Sequence, residues 1–222
     1  MAISKTTTAE CVHCGAKHRI TVYPVIDPDD TPGLVSRAEN GTFFQHKCNK
    51  CGKKYNVWYP VMYLDPLMDI MICYSTNVQE MIETQQAVLE RRKDFENEQD
   101  DDCIIRVTNS PHAFREKIKL FHDGFDDRVV EIMKTQVSMV GHTRNAIENV
   151  KEVFCWPDGD KFHFDFLCSG SSEVISTEVS MALYDLIYNK LINLIDEQHP
   201  NPTEVDLDWA MNFLDRNDIK IL

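Results

Sequence analysis

The sequence predicts an α+β protein. A small β-rich, zinc-ribbon-like unit is expected over residues 1–75, and a larger acidic, mainly helical unit over residues 76–222 with a β-hairpin near 151–168. Three observations lead there. Two Cys-x-x-Cys-Gly motifs, at residues 11–15 and 48–52, lie among aromatic and β-branched runs with partial two-residue alternation, which is a strand signal. From Asn77 onward the apolar residues recur every three or four positions, the period of an amphipathic helix. The charge divides with the pattern: through residue 60 there are eight Lys/Arg against five Asp/Glu, and beyond it fifteen against thirty-one, so the two parts carry +3 and −16.

The elements follow in order. Residues 18–26 and 54–63 read as strands, and Asn40-Gly41 is a tight-turn signal ahead of a further strand over 42–47. Pro24, Pro28, Pro32 and Gly33, with Asp27, Asp29 and Asp30, mark the stretch between them as a loop, the least ordered part of the unit and an insertion between the two cysteine motifs. Val78, Met81, Ile82, Gln85, Val88, Leu89, Arg92 and Phe95 then predict a helix of about twenty residues that ends in the acidic run Asp100-Asp101-Asp102, read as a solvated linker. A short strand over 104–108 precedes a helix that Ser110-Pro111 start and that runs to about Phe121. Gly124 breaks the chain before a helix over about 126–145, with Asp126 and Asp127 in its first turn facing the positive end of the dipole. The hairpin turns at Pro157-Asp158-Gly159-Asp160 and aligns Phe162, Phe164 and Phe166 on one face. A strongly apolar helix over 178–197 is read as a core helix, with a homodimer seam as the alternative, and a last helix covers about 206–216.

Composition narrows the function classes. With 222 residues, 43% of them hydrophobic, the chain can bury a real core. A net charge of −13 opposes tight non-specific binding to phosphate backbones and anionic membranes. Residues 1–8 hold no apolar signal region and no stretch approaches the roughly 18 apolar residues of a membrane helix, so the expected location is cytoplasmic, with no membrane partner. In that setting eight cysteines read as metal ligands and buried thiols rather than as disulfides.

The chemistry sits in Cys11, Cys14, Cys48 and Cys51. Each Cys-x-x-Cys-Gly has the form of a zinc knuckle, in which a tight turn aims two thiolates at one ion and glycine supplies the left-handed residue the turn needs. By chance such a motif should arise only about 0.01 times in a chain of this composition. The competing readings, a redox pair and a disulfide framework, fit less well, because a redox Cys-x-x-Cys opens a helix and these motifs border strands. Four thiolates close a tetrahedral shell, so one structural Zn2+ is expected, with its binding energy acting as folding energy. His13 and His46 are the alternative ligands. Lys17, Lys47, Lys50, Lys53 and Lys54 surround the motifs and are read as offsetting the centre's charge; the alternative is an anion or nucleic-acid contact through Lys50, Lys53 and Lys54.

At this point the sequence resembles a known family. The paired motifs about thirty residues apart, Tyr-Pro-Val-Met-Tyr-Leu-Asp-Pro at 59–66, Arg115-Glu116-Lys117-Ile118, and the segment from Asp123 to Glu131 are similar to the bacterial CpXC-domain proteins over roughly residues 9–135. Cys11, Cys14, Cys48 and Cys51 match that family's four cysteines, while Val12 and Asn49 stand where its motif has proline. The resemblance implies a zinc-binding, mostly bacterial intracellular module of unestablished activity, and it brings no catalytic residue.

Other constellations are read blandly. His122, Asp123, Asp126, Asp127 and Glu131 are taken as helix-terminal residues, with Asp123 as cap and Arg128 as salt-bridge partner, rather than as a metal site. Cys73, Cys103, Cys155 and Cys168 are taken as buried thiols. Trp58 and Tyr59 are taken as core packing, with an aromatic platform for a base or a peptide as the alternative. The expected function is non-enzymatic: a structural-zinc interaction or regulatory module whose partner is protein. The alternatives are a nucleic-acid-binding ribbon and a zinc- or thiol-dependent enzyme.

Overall fold

The computed structural model describes residues 3–77, 103–143, 149–170 and 173–220. The helix predicted over residues 78–95 and the acidic run over 100–102 lie outside the described residues. The class is α+β as expected, in two compact units, Met1–Ile118 and Lys119–Leu222. Among the described residues no helix is long and apolar enough to cross a membrane.

The first unit is built on a five-stranded sheet of order β1-β2-β5-β6-β7, with β1 at Ile3–Glu10, β2 at Lys17–Ile26, β5 at Val61–Asp65, β6 at Ile70–Tyr74 and β7 at Ile104–Thr108. β1 and β2 pair antiparallel, as do β5 and β6, while β2–β5 and β6–β7 are parallel. β6 is buried along its whole length, which is why its sequence, Ile-Met-Ile-Cys-Tyr, shows no alternation. Pro24, counted both in the strand over 18–26 and among the loop prolines, lies inside β2. The β1–β2 register shifts between Ile3 and Lys5, so the residue that lacks an N–H sits beside the irregularity. The turn between β5 and β6 hangs on Asp65, whose carboxylate accepts from the Leu67 and Met68 N–H groups at 3.1 Å and from the Tyr63 hydroxyl at 2.8 Å.

The segment expected to be a poorly ordered loop contains a helix, α1 at Pro32–Glu39. Its first residue is a proline, whose fixed φ suits the first helical position. Arg37 then donates to the carbonyls of Thr42, Phe43 and Gln45, and the Asn40 side chain accepts from the Thr42 N–H. These bonds turn residues 42–44 into a tight connection, so the predicted strand over 42–47 shortens to β3 at Gln45–Lys47. The run over 54–63 likewise divides into β4 at Lys54–Asn56, which pairs antiparallel with β3, and β5 in the larger sheet. The helix predicted from Ser110-Pro111 is α2 at Pro111–His122.

The second unit joins an antiparallel meander of order β10-β9-β8 to three helices. β8 spans Val150–Asp158, β9 Lys161–Cys168 and β10 Val174–Ser180; α3 spans Asp127–Thr143, α4 Met181–Gln198 and α5 Leu207–Arg216. The predicted hairpin therefore has a third strand, and residues 178–180, expected to open the apolar helix, end that strand. Ser180 caps α4 by accepting from the Ala182 N–H, which sets the true start of the helix. Phe162, Phe164 and Phe166 are fully buried in one cluster with Val129, Ile132 and Met133 of α3 and Ile187, Leu191 and Ile195 of α4. At roughly 1.5–3 kcal/mol for each fully buried side chain of this kind, that cluster supplies most of the unit's driving force. α4 uses one face for this core and exposes Leu186 and Tyr188 on the others.

The acidic segment between α2 and α3 is structural. Asp123 pairs with Lys119 at 2.9 Å, and the cap expected from it falls instead to Asp126, whose carboxylate accepts from the Arg128 N–H. The Arg128 guanidinium binds Asp126 at 2.6 Å and Asp196 at 2.8 Å, and donates to the carbonyls of His199 and Pro200. It thereby fastens the start of α3 to the carbonyl-rich end of α4.

Two buried groups make the fold sensitive to alkali. Burial, with Cys103 nearby, pushes the Cys73 thiol up to about 12, and burial pushes the Tyr184 hydroxyl up to about 12. Both native pKa values exceed the unfolded ones, so the native state holds protons that the unfolded chain releases. Stability from these groups is complete below about pH 8.5 and is lost progressively up to about pH 12. Denaturant midpoints measured from pH 7 to 11 should stay level and then fall, with a smaller fall in Cys73→Ala.

Candidate metal centre

Each cysteine motif folds into a knuckle by local hydrogen bonds. In the first, the Gly15 and Cys14 N–H groups donate to the Cys11 carbonyl at 2.9 and 3.3 Å, and the Cys11 N–H donates to the Ala16 carbonyl. In the second, the Gly52 N–H donates to the Cys48 carbonyl at 2.9 Å and the Cys48 N–H to the Lys53 carbonyl. Gly15 at φ 67° and Gly52 at φ 72° hold the left-handed position that closes each turn. No atom lies within 4 Å of a Cβ built on Gly52, so only backbone strain opposes a side chain there. Gly52→Ala should cost about 1–2 kcal/mol, and Gly52→Asn less. Competition with a chromophoric chelator should show metal affinity lowered in that order with the metal count per chain unchanged.

The knuckles hang from different elements, the first between β1 and β2 and the second between β3 and β4. They meet because Cys11 and Cys48, each about 1% exposed, share a small core with Ala9, Ile20, Val22 and Tyr55. Cys14 and Cys51 complete the group on the solvent side. All four Sγ atoms lie within 4.8 Å of one another, with Cys14–Cys48 at 3.6 Å and Cys11–Cys51 at 3.8 Å. All eight cysteines are free of disulfides. For a tetrahedral ion with metal–sulfur bonds of about 2.3 Å, the sulfur–sulfur edge is about 3.8 Å, so the four residues fit one ion.

The electrostatics already favour thiolate at one corner. Backbone N–H groups of Cys51 and Lys50 point at the Cys48 sulfur and lower its pKa to about 6, while at Cys14 the Ala16 N–H is outweighed by burial and the neighbouring thiols, which raise the value to about 11. Among the described residues these cysteines form the one group of three or more potential ligands, and neither histidine belongs to it. The His13 Nε2 is bonded to the Lys54 carbonyl at 3.1 Å. The His46 ring lies toward Tyr55, and burial, then Arg37 and His18, hold its pKa below the usual imidazole value. Tyr55 shares a 2.7 Å hydrogen bond with His18.

The remaining predicted residues separate clearly. Cys73, Cys103 and Cys155 are buried and Cys168 is partly so, and none of them belongs to the cluster of four. Lys17 pairs with Glu10 at 3.7 Å, whereas Lys50, Lys53 and Lys54 are exposed on the second knuckle and β4. Trp58 is 48% exposed, so it is not core packing. Asn56, His112 and Arg115 line the same cleft, and nothing local in the sequence joins His112 and Arg115 to positions some sixty residues earlier.

No curated protein and no solved structure matches the chain. The model of the CpXC protein family matches residues 9–134, more than half of the 222 residues and inclusive of both knuckles. With its four cysteines gathered at metal-binding distance within that match, the chain belongs to the CpXC family.

Proposed function

We propose that the four cysteines hold one zinc ion as a structural element, and that the chain is a non-enzymatic interaction or regulatory module of the CpXC family. The observation that carries this reading is the all-sulfur geometry. Four sulfurs within 4.8 Å of one another, two of their separations at 3.6 and 3.8 Å, can fill a tetrahedral shell and leave no open coordination position for a water or a substrate, and that is the difference between a structural and a catalytic zinc. Sulfur ligation suits zinc or an iron–sulfur unit among the common metals, and the single set of four thiols suits one ion. The buried sulfurs of Cys11 and Cys48 belong to the core that joins the knuckles, so binding the ion and folding the ribbon are one event. Four cysteines gathered at metal-binding distance suit a reducing compartment, which supports a cytoplasmic location.

Metal content and zinc-edge absorption of protein purified without added metal test the proposal. One zinc per chain with four sulfurs at about 2.3 Å is the expected result. A nitrogen or water in the shell, or a different metal, would sink the closed structural site and reopen metal or thiol chemistry.

A further inference from the structure

We propose that the exposed face of the β3–β4 ribbon, together with the cleft beside Trp58, binds a short stretch of single-stranded nucleic acid. Phosphates would lie along Lys47, Lys54 and Arg115, with a base against the Trp58 ring. The inference rests on the zinc-folded ribbon proposed above and names the partner of that module.

Antiparallel register places Lys47 opposite Lys54 and Gln45 opposite Asn56, and two-residue alternation puts these four on one face, with His46 and the buried Tyr55 on the other. Like charges directly opposite one another across a ribbon destabilise it. Besides the charge of the metal centre itself, nothing pairs with these cations directly: among the described residues no carboxylate forms an ion pair with Lys47, Lys50, Lys53 or Lys54, and none of their ammonium groups bonds to a cysteine sulfur. The four cations thus stand exposed on one knuckle and its ribbon, where an external anion would relieve their repulsion.

The same face leads into a recess. Asn56 lines a cleft of about 200 Å3 whose walls include Phe44, Trp58, Asn40, His112 and Arg115. The Trp58 and Phe44 ring centroids are 5.0 Å apart, and half of Trp58 remains open. Arg115 is set in place by its Nε donating to the Glu39 carbonyl at 2.6 Å. It lies against Gly41, where a Cβ would come within 3.3 Å of its Nη1. No carboxylate pairs with its guanidinium among the described residues.

The cleft is smaller than the roughly 300–1,000 Å3 of cofactor pockets and suits one planar ring. Amide side chains, an imidazole and a guanidinium in one lining with Phe44 and Trp58 match a heterocycle with hydrogen-bonding edges better than the apolar anchor of a peptide. Cations on the approach and a stacking ring at the end are the two parts of a single-strand site. The net charge of −13 repels long polyanions, so the expected binding is weak, short-range and salt-sensitive.

The test is fluorescence anisotropy of labelled octamers, dT8 and U8, with the zinc-loaded full chain at 25–200 mM salt. Three or four phosphate contacts predict a log–log salt slope of about −2 to −3. Trp58→Ala should weaken binding at least tenfold, with Trp58→Phe restoring most of it, and Lys47→Glu with Lys54→Glu should abolish binding. Every variant should retain one zinc. Absence of salt-sensitive binding in zinc-replete protein would overturn the inference and leave the structural centre standing, whereas protein without zinc would overturn the centre itself. Loss of zinc in the lysine variant would show that these cations serve the metal, and equal competition by an octaglutamate peptide would show a general acidic-partner surface; either result overturns the nucleic-acid assignment.

Discussion

If the four cysteines hold the proposed zinc, replacing Cys48 by serine should strip it from the protein and unfold the ribbon that the two knuckles share. Cys48 is one of the two buried corners of the cluster, its sulfur receives two backbone N–H groups, and its side chain belongs to the core with Cys11, Ile20 and Tyr55. Structural zinc sites of this kind contribute about 10–16 kcal/mol of apparent binding energy, as much as the roughly 5–15 kcal/mol that stabilises an ordinary domain. Losing one ligand therefore removes more than the ribbon's own contacts can replace. Metal analysis should fall from one zinc per chain to near none. Amide NMR should show lost dispersion for β3, β4 and both knuckles, while signals from the Phe162–Phe166 strand persist, since the second core contains none of the four cysteines. Cys73→Ser is the control and should leave the metal count unchanged. A Cys48→Ser protein that keeps a full complement of zinc would show that the ion is held elsewhere.

The second large effect is expected from Phe164→Ala. Phe164 lies at the middle of the central strand β9, fully buried, with Cys155 and Thr177 opposite it on the flanking strands. Truncating a buried phenylalanine costs about 3–5 kcal/mol, the transfer energy of the ring plus the cavity it leaves. In a unit of about a hundred residues each kcal/mol corresponds to roughly 4 °C or more, so the melting transition of Lys119–Leu222 should drop by at least about 12 °C. Val174→Ala, at a half-exposed position on β10, should change it little. Calorimetry on the two variants separates the cases, and similar small shifts for both would mean that the three phenylalanines are not the unit's core.

What was legible in the sequence was local in origin. A knuckle needs only five consecutive residues, two cysteines three positions apart and a glycine after the second, so the candidate ligand set could be read without knowing the fold. The alternation of Phe162, Phe164 and Phe166 and the spacing of apolar residues in α3 and α4 state which face is buried, whatever covers it. The turn chemistry of Ser110-Pro111 and Pro157-Asp158-Gly159 is equally local. Where local rules competed, they misled. Prolines and aspartates between the knuckles gave a loop reading, although Pro32 begins α1 and Arg37 ties down the turn after it. The apolar spacing from residue 178 onward gave a helix over 178–197, although Ser180 places the cap two residues later.

The sequence by itself determined the two cysteine knuckles, the α+β class and the buried faces of the longest elements, because each depends on residues within a turn or a period of one another. Only the tertiary structure decided the sheet order and the surface around Trp58. A strand such as β1, with its run of threonines, or β6, apolar throughout, carries no mark of its partner, and the parallel pairing of β6 with β7 joins segments some thirty residues apart. Asn40, Phe44, Asn56, Trp58, His112 and Arg115 likewise become one cleft only when α1, the ribbon and α2 have packed. Periodicity records which side of an element avoids water; which element meets it is settled by packing and loop closure over the whole unit, and no short stretch of sequence contains that choice.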